Sequence, residues 1–254
     1  MKVFFKTFFA VLIANILLVA LLFVFVIGMG ASMMAGKKPD IKKDSYLVID
    51  IYGEVMAYNP PENFPENIIG GKPETLHRIL SNLEKAGVDD RIKGVIFKIS
   101  GNNGLGAAMI EEIRAAIKKV QMADKPVYAY SDYMTRGAML LASACDSLYM
   151  PPGGHMYFVG YGGAVPFVKG TLDKLGIKTH IHRIKDYKSA AELVTRKDMS
   201  PEAREMRGWI MDDMWAMQMG AVSKDLGLTE EKLVEHMEYA LFSPDQAKEA
   251  GLID

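Results

Sequence analysis

The sequence predicts one α/β domain standing behind a single N-terminal membrane helix. Short apolar, β-rich runs alternate with segments of helical period from residue 46 to the end, the pattern of mostly parallel strands joined by helices. Phe8 to Ile27 carries no charge, and about twenty such residues suffice to cross a bilayer as a helix. The remaining chain, roughly 210 residues, is long enough for one domain with a real core.

Lys2 and Lys6 precede the apolar span, and Asn15 is its one strongly polar member. Its length favours an uncleaved anchor, since a cleavable leader has a shorter apolar core, although Gly30-Ala31-Ser32 offers the small residues of a cleavage site. Lys37, Lys38, Lys42 and Lys43 follow the span, offset by Asp40 and Asp44, so flanking charge does not fix its orientation. The expected layout is a short flank at 1–7, the anchor at 8–29, a polar linker at 30–45 and a folded domain at 46–254.

Tyr46 to Tyr52 alternates and is β-rich, so it is the first strand. Asn59 to Pro65, with three prolines and two asparagines, is a loop. Leu76, Ile79, Leu80 and Leu83 recur at helical spacing. Gly94 to Ile99 is a short strand, and Ser100 to Gly106 is a glycine-rich turn. A helix follows, with Ile110, Ile113, Ile117 and Val120 on one side. Such a strand–turn–helix unit can aim backbone N–H groups at an oxyanion, though the glycine spacing matches no nucleotide fingerprint. Further strands are expected at Pro126–Tyr130 and Ser147–Met150, with a helix through Met139, Leu140 and Ala142 between them. His155 to Gly163 reads as an extended loop or hairpin, Phe167–Leu175 as a helix, and Lys178–Ile184 as a strand. Ser200-Pro201 opens a long helix, with Ser as N-cap and Pro in the first turn. Met206, Ile210, Met214, Met217 and Ala221 line one of its faces, read as core or subunit contact. Ser243-Pro244 to Gly251 is a last short helix. No internal repeat is present.

The net charge is −1 with no long basic run, which argues against nucleic acid as a partner. Cys145 is the single cysteine, so no disulfide can form within the chain, and its neighbours Leu141 to Ala144 suggest packing. His180 and His182 would share one face of the predicted strand. No Cys or acidic partner stands at ligand spacing, so neither a metal nor a cofactor is expected.

The stretch Arg183 to Glu192 joins a predicted strand to a helix. Ser189 and Glu192 have the spacing of a capping box, which starts the helix at Ser189 and puts Lys188 at its entrance. A cation there faces the positive end of the helix dipole. In a dry site both effects disfavour the charged ammonium, and a neutral amine can take a proton from a nucleophilic hydroxyl. On local grounds alone a solvated loop lysine is the simpler reading.

Lys125-Pro126-Val127-Tyr128-Ala129, Leu172-Asp173-Lys174-Leu175-Gly176, Asp186-Tyr187-Lys188-Ser189-Ala190 and Asp198-Met199-Ser200-Pro201-Glu202-Ala203-Arg204-Glu205 together resemble the signal peptide peptidase A, or protease IV, family. The match is to the N-terminal half of its long two-domain form and covers nearly the whole chain. The resemblance implies a ClpP/crotonase-like fold of spiral ββα units. It implies a membrane-anchored serine peptidase with a Ser/Lys dyad, held in the bacterial inner membrane with its domain facing the periplasm. Its substrates would be leftover signal peptides, and a homo-oligomer is expected. The family's general-base lysine falls on Lys188. The serine does not carry over: Arg136 occupies its position in Met134-Thr135-Arg136-Gly137-Ala138-Met139. Thr135 is one residue off, about 100° around a helix, and Ser131 and Ser143 are likewise out of register. The resemblance therefore implies a serine supplied by a second half or a partner chain. The alternative is a non-catalytic scaffold or assembly subunit of the same fold. A crotonase acting on acyl-CoA is a third reading, opposed by the N-terminal anchor and by the lack of an acidic pair placed for enolate chemistry.

Overall fold

The computed structural model describes residues 2–34, 40–58, 74–101 and 103–254. They form two units, Met1–Lys42 and Lys43–Asp254. The loop expected at Asn59–Pro65 lies outside the described residues.

In the first unit, helix α1 (Lys2–Met34) runs through both the expected flank and the expected anchor. Its segment Lys2–Phe25 is long and apolar enough to cross a membrane. The polar side chains Thr7 and Asn15 donate to the carbonyls of Val3 and Val11, both at 3.0 Å. Each donation satisfies a polar group within the helix itself, which an apolar environment demands.

The second unit begins with β1 (Ser45–Ile51), where Ile49 and Ile51 turn inward while Tyr46, Val48 and Asp50 turn out. Helix α2 (Leu76–Val88) follows, capped by Thr75, whose hydroxyl accepts the Arg78 N–H at 3.3 Å. Leu76, Ile79 and Leu83 are buried from the face that their spacing predicts. Then come β2 (Ile92–Ile99), helix α3 (Ala107–Gln121), β3 (Val127–Tyr130), the short β4 (Tyr133–Met134), helix α4 (Arg136–Ala142) and β5 (Ser147–Tyr149). Strands β1, β2, β3 and β5 lie in that order and pair in parallel. A parallel pair needs a crossover connection, and α2, α3 and α4 supply one for each step. Their buried faces meet Val95, Phe97 and Ile99 of β2 and Val127 and Ala129 of β3 in the core. The opposite face of the sheet carries Tyr46, Tyr128 and Tyr149 with ring centroids 6.4 Å apart in succession.

The second half of this unit adds β6 (His155–Tyr157), α5 (Lys169–Lys174), a 3-10 turn (Ser189–Ala191), α6 (Glu192–Thr195), α7 (Pro201–Leu226), α8 (Glu230–Met237), β7 (Leu241–Phe242) and α9 (Pro244–Glu249). Strand β6 pairs in parallel with β4 and antiparallel with β7. The loop-or-hairpin expected at His155–Gly163 is thus one strand of a small second sheet followed by irregular chain. Ser200 caps α7, Pro201 opens it, and Gly227 closes it at φ 66°.

Two expectations are corrected here. Residues 177–184 form no strand, so His180 and His182 do not acquire a common strand face. A strand exists only through its ladder partner, and none of these residues has a backbone partner in a sheet among the described residues beyond the Ile177 N–H, which closes back on Leu172. The methionine face of α7 is also no core of this chain. Ile210 is 54% exposed and Met214 and Met217 are each 36% exposed, whereas Ala203, Gln218, Met219 and Val222 are buried.

A buried ion pair locks α7 to the α/β layer. The Arg114 guanidinium on α3 lies 2.7 Å from Asp225 of α7. It also donates to the Leu140 carbonyl at the end of α4 and, at 3.2 Å, to Ser143 Oγ. Removing one partner of a buried pair strands the other charge at a cost of about 3–5 kcal/mol, whereas replacing both with apolar groups is close to neutral. Asp225→Ala should therefore lower the unfolding free energy of the chain in detergent by about 3 kcal/mol. Arg114→Met combined with Asp225→Leu should recover most of it in the same urea titration.

Candidate active site

Lys188 sits at the N-cap of the 3-10 turn Ser189–Ala191, just ahead of α6. Its approach is bent by Lys185, which adopts φ 67°, the left-handed region. The helix entrance expected for Lys188 is therefore present. The capping box is not: the N-cap position falls on Lys188, which makes no side-chain cap hydrogen bond, and the Ser189 hydroxyl makes none among the described residues. The reason is that the Glu192 carboxylate is engaged elsewhere. It is 3% exposed, accepts the Ser200 hydroxyl at 2.6 Å and the Ser200 N–H at 3.0 Å, and takes Arg183 Nη1 at 3.1 Å. Ser200 Oγ in turn accepts the Ala203 N–H at 3.2 Å, so a single hydroxyl caps α7 and ties it to α6. A second tie lies just upstream. The Tyr187 hydroxyl donates to Glu205 Oε2 at 2.7 Å, and its ring stacks on Trp209 at 6.1 Å. That hydrogen bond pushes the Tyr187 phenol above its ordinary value of 10.0. The residues flanking Lys188 are thus fastened to the first turns of α7. Lys188 itself is exposed and enters no hydrogen bond or ion pair among the described residues.

Arg136 opens α4, and its environment is specific. Nη1 donates to the Gly160 carbonyl at 3.0 Å, and the guanidinium lies 3.6 Å over the Tyr161 ring. Tyr161 donates to Gln218 Oε1 at 2.7 Å, and Gln218 Nε2 donates back to the Arg136 carbonyl at 3.3 Å. This closed cluster joins α4, the chain after β6 and α7. Its cation cannot be deprotonated and offers no nucleophilic lone pair. Nor do the neighbouring hydroxyls supply one. Thr135 Oγ1 caps α4 and lies 3.3 Å from the Gly101 carbonyl. Ser143 Oγ is buried between Arg114 and Asp225. Ser131 is buried with no hydrogen-bond partner for Oγ among the described residues. Cys145 is no substitute, because burial pushes its thiol well above the ordinary 9.0.

The glycine-rich turn is held against this same region. A Cβ on Gly101 would lie 2.1 Å from the Tyr133 ring, and one on Gly104, which takes φ 60°, would lie 2.9 Å from the Glu54 α-carbon. Asn103 braces the turn, donating to the Ser100 carbonyl and accepting the Leu105 N–H. The structure therefore gathers the turn, Thr135 and Arg136 in one place. No hydrogen bond or ion pair joins them to Lys188 among the described residues. The sequence points to neither Tyr161 nor Gln218, and it points to Ser200 only as an N-cap. An internal serine three residues before a helical Ala is a visible N-cap signal, but nothing in spacing reveals that its hydroxyl also serves a distant carboxylate.

Burial alone raises the Glu192 carboxyl, but the hydrogen bonds from the Ser200 hydroxyl and amide, then Arg183, outweigh it and leave it below the ordinary 4.5. A carboxyl depressed in the folded chain contributes stability above its unfolded value and loses it as pH falls through the lower folded value. Glu192→Gln should lower the thermal stability at neutral pH and flatten the acid limb below about pH 4.5. Melting curves followed by circular dichroism across that range check this, and parallel acid limbs for the two proteins would overturn it.

The chain was compared with known proteins. Peptidase family S49 matches residues 119–254, more than half of the chain. It is 30% identical over 179 residues to the chloroplastic serine protease SPPA of Arabidopsis thaliana, covering 70% of this chain and 26% of that protein. It is 26% identical over 224 residues to Protease 4 of Salmonella typhi, covering 84% of this chain and 36% of that one. The chain thus spans about a quarter to a third of these relatives' length. Among solved structures it is similar to a membrane-bound stomatin-specific protease, with a TM-score of 0.44 and 12% identity, covering 84% of this chain and 79% of the other. On the match across residues 119–254, which includes Arg136, Lys188, Glu192 and the whole of α7, the chain belongs to peptidase family S49.

Proposed function

We propose that this chain is the base-supplying half of a membrane-anchored serine peptidase, working on signal peptides left in the bacterial inner membrane, with its domain on the periplasmic side. The observation that carries the reading is the contrast between two positions. Arg136 fills the place of the nucleophile and is locked by Gly160, Tyr161 and Gln218. Lys188 is exposed at a helix entrance whose neighbours are held rigidly.

In this reading a serine arrives from a second domain or partner chain. Lys188 takes the hydroxyl proton as the oxygen attacks the peptide carbonyl, then returns it to the departing amine. Water repeats the cycle to release the acyl group. A base must be neutral and within hydrogen-bond reach of its hydroxyl. Docking of the partner over Lys188 would exclude water there. Two features support such a partner. Residues 177–184 have β-rich composition and exposed Ile177, Ile181 and Ile184 without a sheet of their own. The α7 face presents Trp209 at 56% and Ile210 at 54% exposure beside the Tyr187 stack. The Arg136 cluster is also what a non-catalytic assembly subunit of this family would carry, and reconstitution separates the two readings.

The chain alone should not cleave a fluorogenic peptide. Adding a serine-bearing S49 domain should create activity, and Lys188→Ala in the mixture should reduce it by about 10²–10⁴-fold. Undiminished activity of the Lys188→Ala mixture would overturn the assignment. Alkaline carbonate should leave the chain in the membrane pellet, held by α1; its release, intact, into the supernatant would count against the anchor.

A further inference from the structure

Two adjoining cavities of about 230 and 390 Å³ run from the residues just after Lys188 to the second and third turns of α7. Ser189 and Ala190 line the first, and Val165, Met199 and Arg207 are common to both. The far end is floored by Gly208, Ile210 and Met211 and edged by Arg204. One wall is the chain from Gly163 to Phe167. None of the backbone N–H groups from Val159 through Phe167 donates a hydrogen bond among the described residues. An irregular segment with free amides beside an apolar trough is a template for an added peptide strand. The far cavity is apolar except for its two arginines; the near one also takes Ser189 and Glu192, whose carboxylate is already held by Ser200 and Arg183. No carboxylate lies within ion-pair distance of Arg204 or Arg207 among the described residues, although Glu202 and Glu205 share their helix and Glu205 is taken by Tyr187.

Two guanidiniums without an acidic partner among the described residues, Arg207 shared by both cavities and Arg204 edging the far one, call for a ligand that is largely apolar along its length and anionic toward its α7 end. Guanidinium matches a carboxylate in bidentate geometry. We propose that Arg204 and Arg207 form a carboxylate subsite, which selects extended apolar peptides ending in a free carboxylate and places that end beyond the Lys188 end of the trough. The inference rests on the peptidase reading and adds to it a direction. The peptide's C-terminus lies at α7, and the bond presented near Lys188 lies a few residues upstream of it. Cleavage would then trim peptides that already possess a nearby end rather than enter long chains at random.

The test is fluorescence anisotropy with the full chain in detergent and one short apolar peptide, labelled at its N-terminus, in three forms. These are the free acid, the C-terminal amide, and the amide with Glu as last residue. The free acid should bind about tenfold more tightly than the amide, the scale of one charge-assisted contact at a partly exposed site. The Glu form distinguishes a terminal from a side-chain carboxylate as the group recognised. Arg204→Gln with Arg207→Gln should erase the preference between free acid and amide, and the corresponding double Lys variant should keep part of it. Equal affinity for all three forms, or a preference that survives the double Gln variant, would overturn the subsite. Lys188→Ala should not alter the preference. A failure of reconstituted cleavage with the preference intact would therefore fall on the base assignment, and the reverse result on the subsite.

Discussion

The buried carboxylate of Glu192 organises the candidate site. A charge removed from water must be answered by hydrogen bonds, and this one is answered from three directions by the Ser200 hydroxyl, the Ser200 amide and Arg183. Because Arg183 precedes Lys188 and Ser200 begins α7, the carboxylate closes a loop around the lysine. The position of Lys188 is thus set by backbone fastened on both sides and not by contacts of its own. The amine is held in place in this way while its own nitrogen makes no bond among the described residues.

The Arg136 cluster obeys the opposite logic. There the side chain itself is engaged, by a carbonyl and an aromatic face, while its backbone carbonyl accepts from an amide. A cation stacked on tyrosine and hydrogen-bonded to the chain contributes to packing. It leaves no room for proton transfer. In one chain, therefore, the lysine position is left open while the arginine position is built into the packing. The two states reflect a single helix, since α7 contributes Glu205 and the Ser200 cap to the first site and Gln218 to the second.

Most of the fold was legible in the sequence because its signals are local. The spacing of Leu76, Ile79 and Leu83, the Ser200-Pro201 start, and the apolar run of β2 each report a decision made within one element. The failures share one cause. Whether 178–184 becomes a strand depends on a ladder partner, and whether Met214 and Met217 are buried depends on what packs against α7. Neither is encoded in the segment itself. Glu192 shows the same limit at the site. Its spacing from Ser189 allows a capping box, but a buried hydroxyl eight residues later competes for it and wins. The helix entrance at Lys188 was readable from local spacing, whereas the Tyr161–Gln218 clasp was not.

The main sheet has a property that bears on how the chain is made. Its strands stand in space in the order in which they occur in the chain, β1, β2, β3, β5, with no later strand inserted between earlier ones. A parallel sheet is slow to form when distant strands must find each other. Here every incoming strand meets a neighbour that has already been synthesised, and each intervening helix can cover the newly extended face before the next strand appears. Growth at one edge lets the layer assemble vectorially, N-terminus first, without waiting for the C-terminal residues. The exception is the small second sheet, whose last strand, β7, arrives some 80 residues after β6. Closure of that sheet, which Phe158 also joins through the Ala240 carbonyl, is a step that has to wait for β7.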